Sequence, residues 1–314
     1  MINTHTSNVS PEKPIQTRPS HKFNKLLYKD GTWAFIMLLP NLIGFLMFIL
    51  IPVIATFVIS FMDYDIVSPM KFVGLQNYIE MFKDPIVHQT LRNTLVYTVT
   101  TVPVGMVFSL ILAVVLDQKV FGRRFYRAVY FLPSITSMVA IAVVWQWIYN
   151  PEFGLLNYIL SLFGLKGPSW LSSSATSLLA IAIVGIWKSI GYNMLLFLAG
   201  LQGISETYYE AAKLDGANPM QEFFYITIPL LSPTTFFIFI MSIIGSFQVF
   251  DSVILMTNGG PGRSSSVLVQ YLYENAFKYF RMGYACSIAY LLFFVVLIVT
   301  AINLRVEKNI RNIY

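Results

Sequence analysis

Two apolar stretches carry the side chains that could do chemistry. Residues 186–197, IWKSIGYNMLLF, hold Trp187, Lys188, Ser189, Tyr192 and Asn193, and residues 241–251, MSIIGSFQVFD, hold Ser242, Gly245, Ser246, Gln248 and Asp251. Hydroxyls, amides, an ammonium group and aromatic rings are what a site needs to hold a polar solute by hydrogen bonds and stacking. Inside apolar segments such groups are costly, and they serve either as bonds between helices or as a pathway. Ser242 and Ser246 stand one helical turn apart and share a face. Lys188 sits in mid-run, where its charge must be paired, hydrated or drawn toward the membrane surface. A partner chain's acid, water in a pore or an acidic solute would each serve.

Chemistry that breaks bonds finds no residues. The stretch Gly259-Gly260-Pro261-Gly262-Arg263-Ser264 has the glycines of a phosphate cradle but lacks its Lys, its spacing and its strand-to-helix setting. It reads as a turn-rich loop at the end of an apolar run, with Arg263 as a charge on its rim. There is no HExxH, no Cys cluster and no G-x-S-x-G. The three histidines, His5, His21 and His88, are scattered, and the single Cys286 lies in an apolar run as a small packing residue. The expectation is a chain that is not an enzyme, with no catalytic residue, no metal site and no cofactor of its own.

The elements that must position the polar groups are long and greasy. Of 314 residues 56% are hydrophobic and 11% charged, where a soluble domain has about a quarter charged. A soluble globular enzyme is thereby excluded. The net charge of +6 comes from Lys and Arg at the ends of apolar runs rather than on one basic face, so nucleic acid is not an expected partner. Residues 1–30 are polar, and the first apolar run is too long for a signal-peptide core, which makes it an uncleaved span. Uncharged runs occupy Gly31–Met62, Asn93–Leu116, Ala128–Pro151, Phe223–Phe250 and Met282–Leu304, and a sixth, Ser177–Leu201, is broken only by Lys188. Each exceeds the roughly 20 residues that cross a bilayer as a helix. The period-two alternation of a barrel is absent. The fold class expected is all-α, a polytopic membrane protein of six transmembrane helices, kinked near Pro40, Pro52, Pro103 and Pro133.

Orientation follows from charge. With both termini inside, the cytoplasmic segments hold thirteen Lys and Arg and the outer loops seven, as the positive-inside rule requires. Residues 1–30 are then a cytoplasmic N-terminal tail, 31–304 a six-helix transmembrane domain and 305–314 a cytoplasmic C-terminal tail, in an inner membrane. Trp145, Trp147 and Tyr149 fit an interfacial aromatic belt at the outer end of the third span. One inner segment departs from the trend: 202–229 carries Glu206, Glu210, Asp215 and Glu222 against one Lys.

That segment contains YYEAAKLDGANP, Tyr208 to Pro219. Ser205 can cap a helix Glu206–Asp215, Gly216 supplies a left-handed stop, and Asn218 and Pro219 start a second helix that runs toward Ile226 and meets Pro229. The expected product is a helix-turn-helix below the membrane. Tyr208, Tyr209, Leu214, Phe223 and Phe224 give it apolar knobs, for packing on the chain's own helix ends or the lipid surface, or for docking on a soluble partner.

The order Glu210-Ala211-Ala212, three residues, Gly216, nine residues, Ile226, one residue, Ile228-Pro229 resembles the EAA loop of bacterial ABC importer permeases, with Ile228 where that family has Leu. The resemblance extends to Leu38–Asp65, Phe72–Phe82, Tyr126–Asn157 and Leu255–Phe277, which are similar to segments of the maltose- and glycerol-phosphate-importer class. It implies that Glu210, Ala211, Ala212, Asp215, Gly216, Ile226 and Pro229 belong to a coupling loop, 205–229, seated in a cleft of an ATPase subunit. It also implies a second permease subunit, two ATP-binding subunits that alone use ATP, an extracytoplasmic sugar-binding protein and the bilayer as partners. Tyr192, Asn193, Ser242, Ser246, Gln248 and Lys188 would then border a sugar path between the two helices that flank the loop. The rivals are an ion-coupled secondary transporter, which calls for an inverted repeat that the chain lacks, and a non-transport membrane scaffold, which leaves the loop's spacing a coincidence.

Overall fold

The computed structural model describes residues 30–118 and 121–311. The tail expected over residues 1–30, with His5 and His21, lies outside them but for Asp30. The chain divides into two units, Met1–Ala55 and Thr56–Tyr314. The described part of the first unit is helical: α1, Asp30–Phe45, passes through one π turn, Leu46–Leu50, into the start of α2, Ile51–Ile59.

The second unit is a helical bundle. A minimal hairpin, β1 Met62–Asp63 paired antiparallel with β2 Lys71–Phe72, precedes α3 Gln76–Lys83 and α4 Pro85–Asp117. It is a small departure from the all-α expectation. There follow α5 Arg123–Ile135, α6 Met138–Ile148, α7 Leu155–Leu162, α8 Ser177–Gln202, α9 Glu206–Leu214 and α10 Pro219–Glu222. The chain then makes a π turn, Phe223–Thr227, and forms α11 Ile228–Leu230, α12 Ser232–Phe247, α13 Asp251–Met256, α14 Leu268–Tyr273 and α15 Met282–Arg311.

Among the described residues four helices are long and apolar enough to cross a membrane: Trp33–Ile59, α4, α8 and Met282–Arg305. The other two expected spans are not single rods. Between α5 and α6 the axis turns by 99°, and between Pro219–Leu230 and α12 by 62°. The first break falls at Thr136 and Ser137, which adopt extended ψ values of 140° and 134°. There Ser134 Oγ donates to the Phe131 carbonyl (2.6 Å) and Thr136 Oγ1 to the Leu132 carbonyl (2.8 Å), replacing donors the helix lost. The second break lies at Leu231, flanked by Pro229 and Pro233, neither of which has an N–H to continue the ladder. The apolar run Phe223–Phe250 is therefore two pieces that meet at Leu231. At the other end of the chain α15 continues past Leu304 into the expected tail.

α4 and α8 pack along their length and form the spine. Asp84 starts α4 by accepting from the Ile86 N–H (2.8 Å), with Pro85 at the first helical position. Thr90, Thr94, Thr101 and Ser109 each bond the carbonyl four residues back, so these hydroxyls lie on the buried face of α4 without an unmet donor. Ser109 Oγ also lies 3.2 Å from the Ile190 carbonyl of α8. Contact with lipid tails is as favourable for Leu as contact with another helix, so small residues and close packing, not apolar burial, hold such a pair together. At Gly191 a Cβ would overlap the Tyr130 carbonyl oxygen, and only glycine lets α5 approach α8 there. The wide exposure of Val99, Ile111, Phe293 and Leu297 is what a lipid-facing surface shows.

Tyr149 departs from the expected aromatic belt. It is 1% exposed, its hydroxyl donates to the Ala180 carbonyl (3.0 Å), and its ring packs between Trp145 and Trp170. The bend ahead of α6 brings that end of the helix against α8, so a ring expected at the membrane surface becomes part of the core. Trp147 remains exposed.

Candidate functional site

A cavity of about 680 Å³ opens among α4, α5, α8, α12 and the start of α13. All six residues singled out from the two polar stretches line it: Lys188, Tyr192, Asn193, Ser242, Ser246 and Gln248. They do so in different ways. Asn193 and Ser246 are buried, whereas Tyr192 and Gln248 are exposed. Ser246 Oγ donates to the Ile243 carbonyl (2.8 Å) and lies 3.0 Å from Thr98 Oγ1, so it joins α12 to α4 as well as facing the cavity. Asn193 Nδ2 reaches Ser242 Oγ only at 3.4 Å, a long contact that leaves most of both groups' hydrogen-bonding capacity for something else. Bonding between helices and lining of a pathway coexist at this site.

Gln248 is not on a regular helix. It ends α12 with φ −95° and ψ 12°, and Phe250 (φ −145°) separates it from α13. The break turns Gln248 and Asp251 toward the same space as Lys188. Among the described residues Lys188 forms no ion pair; its Nζ has Met138 Sδ at 4.0 Å. Sequence reasoning missed Tyr97, Thr101 and Ser134, which line the cavity from α4 and α5. A signal was present in the polar run YTVTT, 97–101, within an otherwise apolar helix.

The second element is the polar loop. α9 begins at Ser205, whose Oγ accepts from the Thr207 N–H (3.4 Å), and ends one residue earlier than expected, at Leu214. Gly216 takes φ +82°; its N–H bonds the Lys213 carbonyl and the Ala217 N–H bonds the Ala212 carbonyl. This is a Schellman stop, which requires a left-handed residue in that position. Asn218 and Gln221 then cap α10 reciprocally, at 3.0 and 2.8 Å. Tyr209 of α9 meets Thr227 of the following π turn through their hydroxyls (3.0 Å), which fixes the angle between the two arms.

The result is a hook whose outer surface is unusually apolar. Leu214 is 90% exposed and Tyr225 78%, with Tyr208, Met220 and Phe224 also exposed. Glu210, Ala211, Asp215 and Gly216 are on the surface, whereas Ala212, Ile226 and Pro229 are half-buried in the junction between the arms and the bundle. The hook joins α8 to α12, so its ends lead into the two helices that carry the cavity's polar groups.

At the other end of α4 a polar cluster anchors the loop 258–266 and the start of α15. Asp84 Oδ2 accepts from Tyr271 (2.6 Å) and Tyr284 (2.7 Å). Burial pushes the Asp84 carboxyl up, but those hydroxyls and the Ile86 and Val87 N–H groups outweigh it and hold the group below the ordinary 3.8. Burial, with the Asp84 carboxylate added, pushes Tyr271 up to about 12. Arg281 pairs with Glu80 (2.6 Å). Arg263, the expected rim charge, pairs with Glu274 (3.0 Å) and lies over the Tyr271 ring, while Gln89 and Asn93 donate to its carbonyl. Among the described residues no group of His, Cys, Asp and Glu is arranged to hold a metal ion.

Comparison with known proteins bears on both elements. Residues 105–312 match the family model described as the binding-protein-dependent transport system inner membrane component, a stretch that includes the hook and most of the cavity. The chain is similar to the probable ABC transporter permease protein YurN of Bacillus subtilis, with 38% identity over 88% of this chain and 96% of the relative. It is also similar to the arabinooligosaccharides transport system permease protein AraP of Bacillus subtilis, with 33% identity over 95% of this chain and 99% of that one. In fold it is similar to a bacterial ABC transporter involved in the import of the acidic polysaccharide alginate, with a TM-score of 0.79, 23% identity, and 92% of this chain and 99% of the other covered.

Proposed function

The chain belongs to the family of binding-protein-dependent transport system inner membrane components, and from that premise we propose that it forms half of the membrane pathway for an oligosaccharide or other sugar. The cargo reaches it from an extracytoplasmic binding protein. A second permease subunit forms the other half, and two ATP-binding subunits dock on the hook at 205–229. The similarity to AraP supports the sugar class. The observation that carries the reading is the joint placement of the hook and the cavity. Lys188, Tyr192 and Asn193 lie on the helix entering the hook, and Ser242 and Ser246 lie on the helix leaving it, with Gln248 at its end.

In this reading both termini are cytoplasmic, with 31–304 as the permease domain. Closure of the ATPase pair pushes on Glu210, Ala211, Ala212 and Asp215. Gly216 keeps the turn, and Ile226 and Pro229 pass the displacement to α12 beyond the 62° bend. The two helices move as levers around the cavity, which opens to one side and then to the other. Within the cavity Tyr192 offers a ring face, and Asn193, Ser242 and Gln248 offer donors and acceptors for sugar hydroxyls. Lys188 meets water, an acid of the second permease or an acidic group on the cargo. The chain itself binds no nucleotide and makes or breaks no bond.

The test is uptake of a panel of labelled oligosaccharides into proteoliposomes holding the complete transporter with its binding protein. ATP-dependent uptake that falls when Gln248 or Asn193 is replaced by Ala is the expected result. Uptake that runs without the ATPase subunits, on an ion gradient alone, refutes the reading.

A further inference from the structure

A second cavity, of about 420 Å³, lies at the N-terminal ends of α4 and α8 and reaches the loop after α13. Arg92, Asn93, Thr100, Ser174 and Ser264 give it a polar wall. One residue is common to its lining and to that of the central cavity: Tyr97. The ring of Tyr97 is 5% exposed and stands between α4 and α8. Its hydroxyl fits the notch left by Gly185, where a Cβ would overlap it, and Ser252 at the start of α13 lines the central cavity with it. Tyr97 is thus the one side chain that borders both cavities. The absence of a side chain at residue 185 leaves room for the end of its ring. A ring that turns about two side-chain torsions is a movable wall, whereas the helices on either side are not.

We propose that Tyr97 is a gate. The outer cavity is an antechamber for the sugar, and rotation of the Tyr97 ring away from Gly185 joins it to the central cavity. This rests on the transport reading above and on the orientation given there. Ser246 and Gln248 at the end of α12 line the same cavity as the ring, and Ser246 Oγ lies 3.0 Å from Thr98 Oγ1, on the residue next to Tyr97. Movement of α12 driven from the hook would therefore release or reseat the ring. The closed position depends on the shape of residue 185, since Gly185 makes room for the ring's end.

The experiment measures access to the central cavity. Met241, which lines that cavity, is replaced by Cys in a Cys286→Ser background, and the assembled transporter in intact cells is treated from outside with a membrane-impermeant thiol reagent. A gate closed in all but a minor population predicts labelling at least about tenfold faster in Tyr97→Ala. Tyr97→Phe keeps the ring and labels as slowly as its parent. Gly185→Ala, which drives the hydroxyl out of its notch, labels fast, and Gly185→Ala with Tyr97→Phe labels slowly again. Equal rates in the parent and Tyr97→Ala overturn the gate, as does a Gly185→Ala effect that Tyr97→Phe fails to reverse. ATP-driven uptake by the unsubstituted protein is measured alongside. Its absence overturns the transport reading itself, while its presence with unchanged labelling removes only the gate.

Discussion

Gly216 offers a direct test of how the hook works, because its environment isolates one physical term. At φ +82° it occupies the left-handed region, and a Cβ added there meets nothing within 4 Å. A side chain at 216 therefore clashes with no neighbour, and the whole penalty is backbone conformation. For an L-residue that penalty is about 1–2 kcal/mol, with Asn an exception because its short polar side chain tolerates the left-handed region. At 1.4 kcal/mol per factor of ten, the fraction of hooks holding the observed turn falls roughly 5- to 30-fold in Gly216→Ala or Gly216→Val. The β-branched side chain stands at the upper end. If only that shape transmits the motor's stroke, ATP-driven uptake falls by a similar factor, while ATP hydrolysis continues or rises. Gly216→Asn stays within about twofold of the parent. Uptake and hydrolysis are measured together in proteoliposomes, with thermal stability of the detergent-solubilised complex as a control; an exposed turn leaves it nearly unchanged. Full coupling in Gly216→Val refutes the reasoning. An equal loss in Gly216→Asn also refutes it, since bulk rather than backbone conformation would then be at fault.

Three further perturbations follow from the geometry. Tyr209→Phe removes the hydroxyl contact with Thr227 between the hook's arms, a loss of about 1 kcal/mol, and hydrogen exchange at 223–230 should quicken with little change elsewhere. Gly191→Ala places a Cβ on the Tyr130 carbonyl oxygen, part of a backbone that cannot step aside, whereas Gly245→Ala meets open space; the yield of folded protein in the membrane should drop sharply for the first and hold for the second. The third concerns pH. Asp84 titrates below its ordinary 3.8 in the folded chain, so it contributes stability above pH 3.8 that is lost as pH falls through the lowered value. Asp84→Asn should be less stable than the parent at neutral pH, the two thermal midpoints converging in acid, and a gap that is constant with pH would contradict the assignment.

Much of this architecture was legible in the linear chain, for reasons that can be named residue by residue. Apolar runs of 20 or more residues can only be helices in lipid, because every backbone group must be satisfied within its own segment. The hook was legible for a different reason: Ser205, Gly216, Asn218 and Pro219 are each suited to one local backbone state, and helix caps are built from neighbours in sequence. The polar residues of the cavity stood out because Lys188, Asn193 and Gln248 are costly where they are.

What the linear chain left open was decided by contacts between segments. Pro229 and Pro233 are visible in the sequence, but the 62° turn they leave at Leu231 is not. Tyr149 reads as an interfacial ring until the break at Thr136–Ser137 swings its helix against Ala180. Arg263 reads as a rim charge, and only the fold shows its partner Glu274, 3.0 Å away. Tyr97 reads as one aromatic among many until Gly185 of another helix supplies the notch for its hydroxyl. Local backbone preference and the exclusion of unbonded polar groups from lipid act within a segment and are written in its sequence. Where a helix turns, which face meets a neighbour and which charges cancel depend on atoms far apart along the chain, and only the packed bundle brings those together.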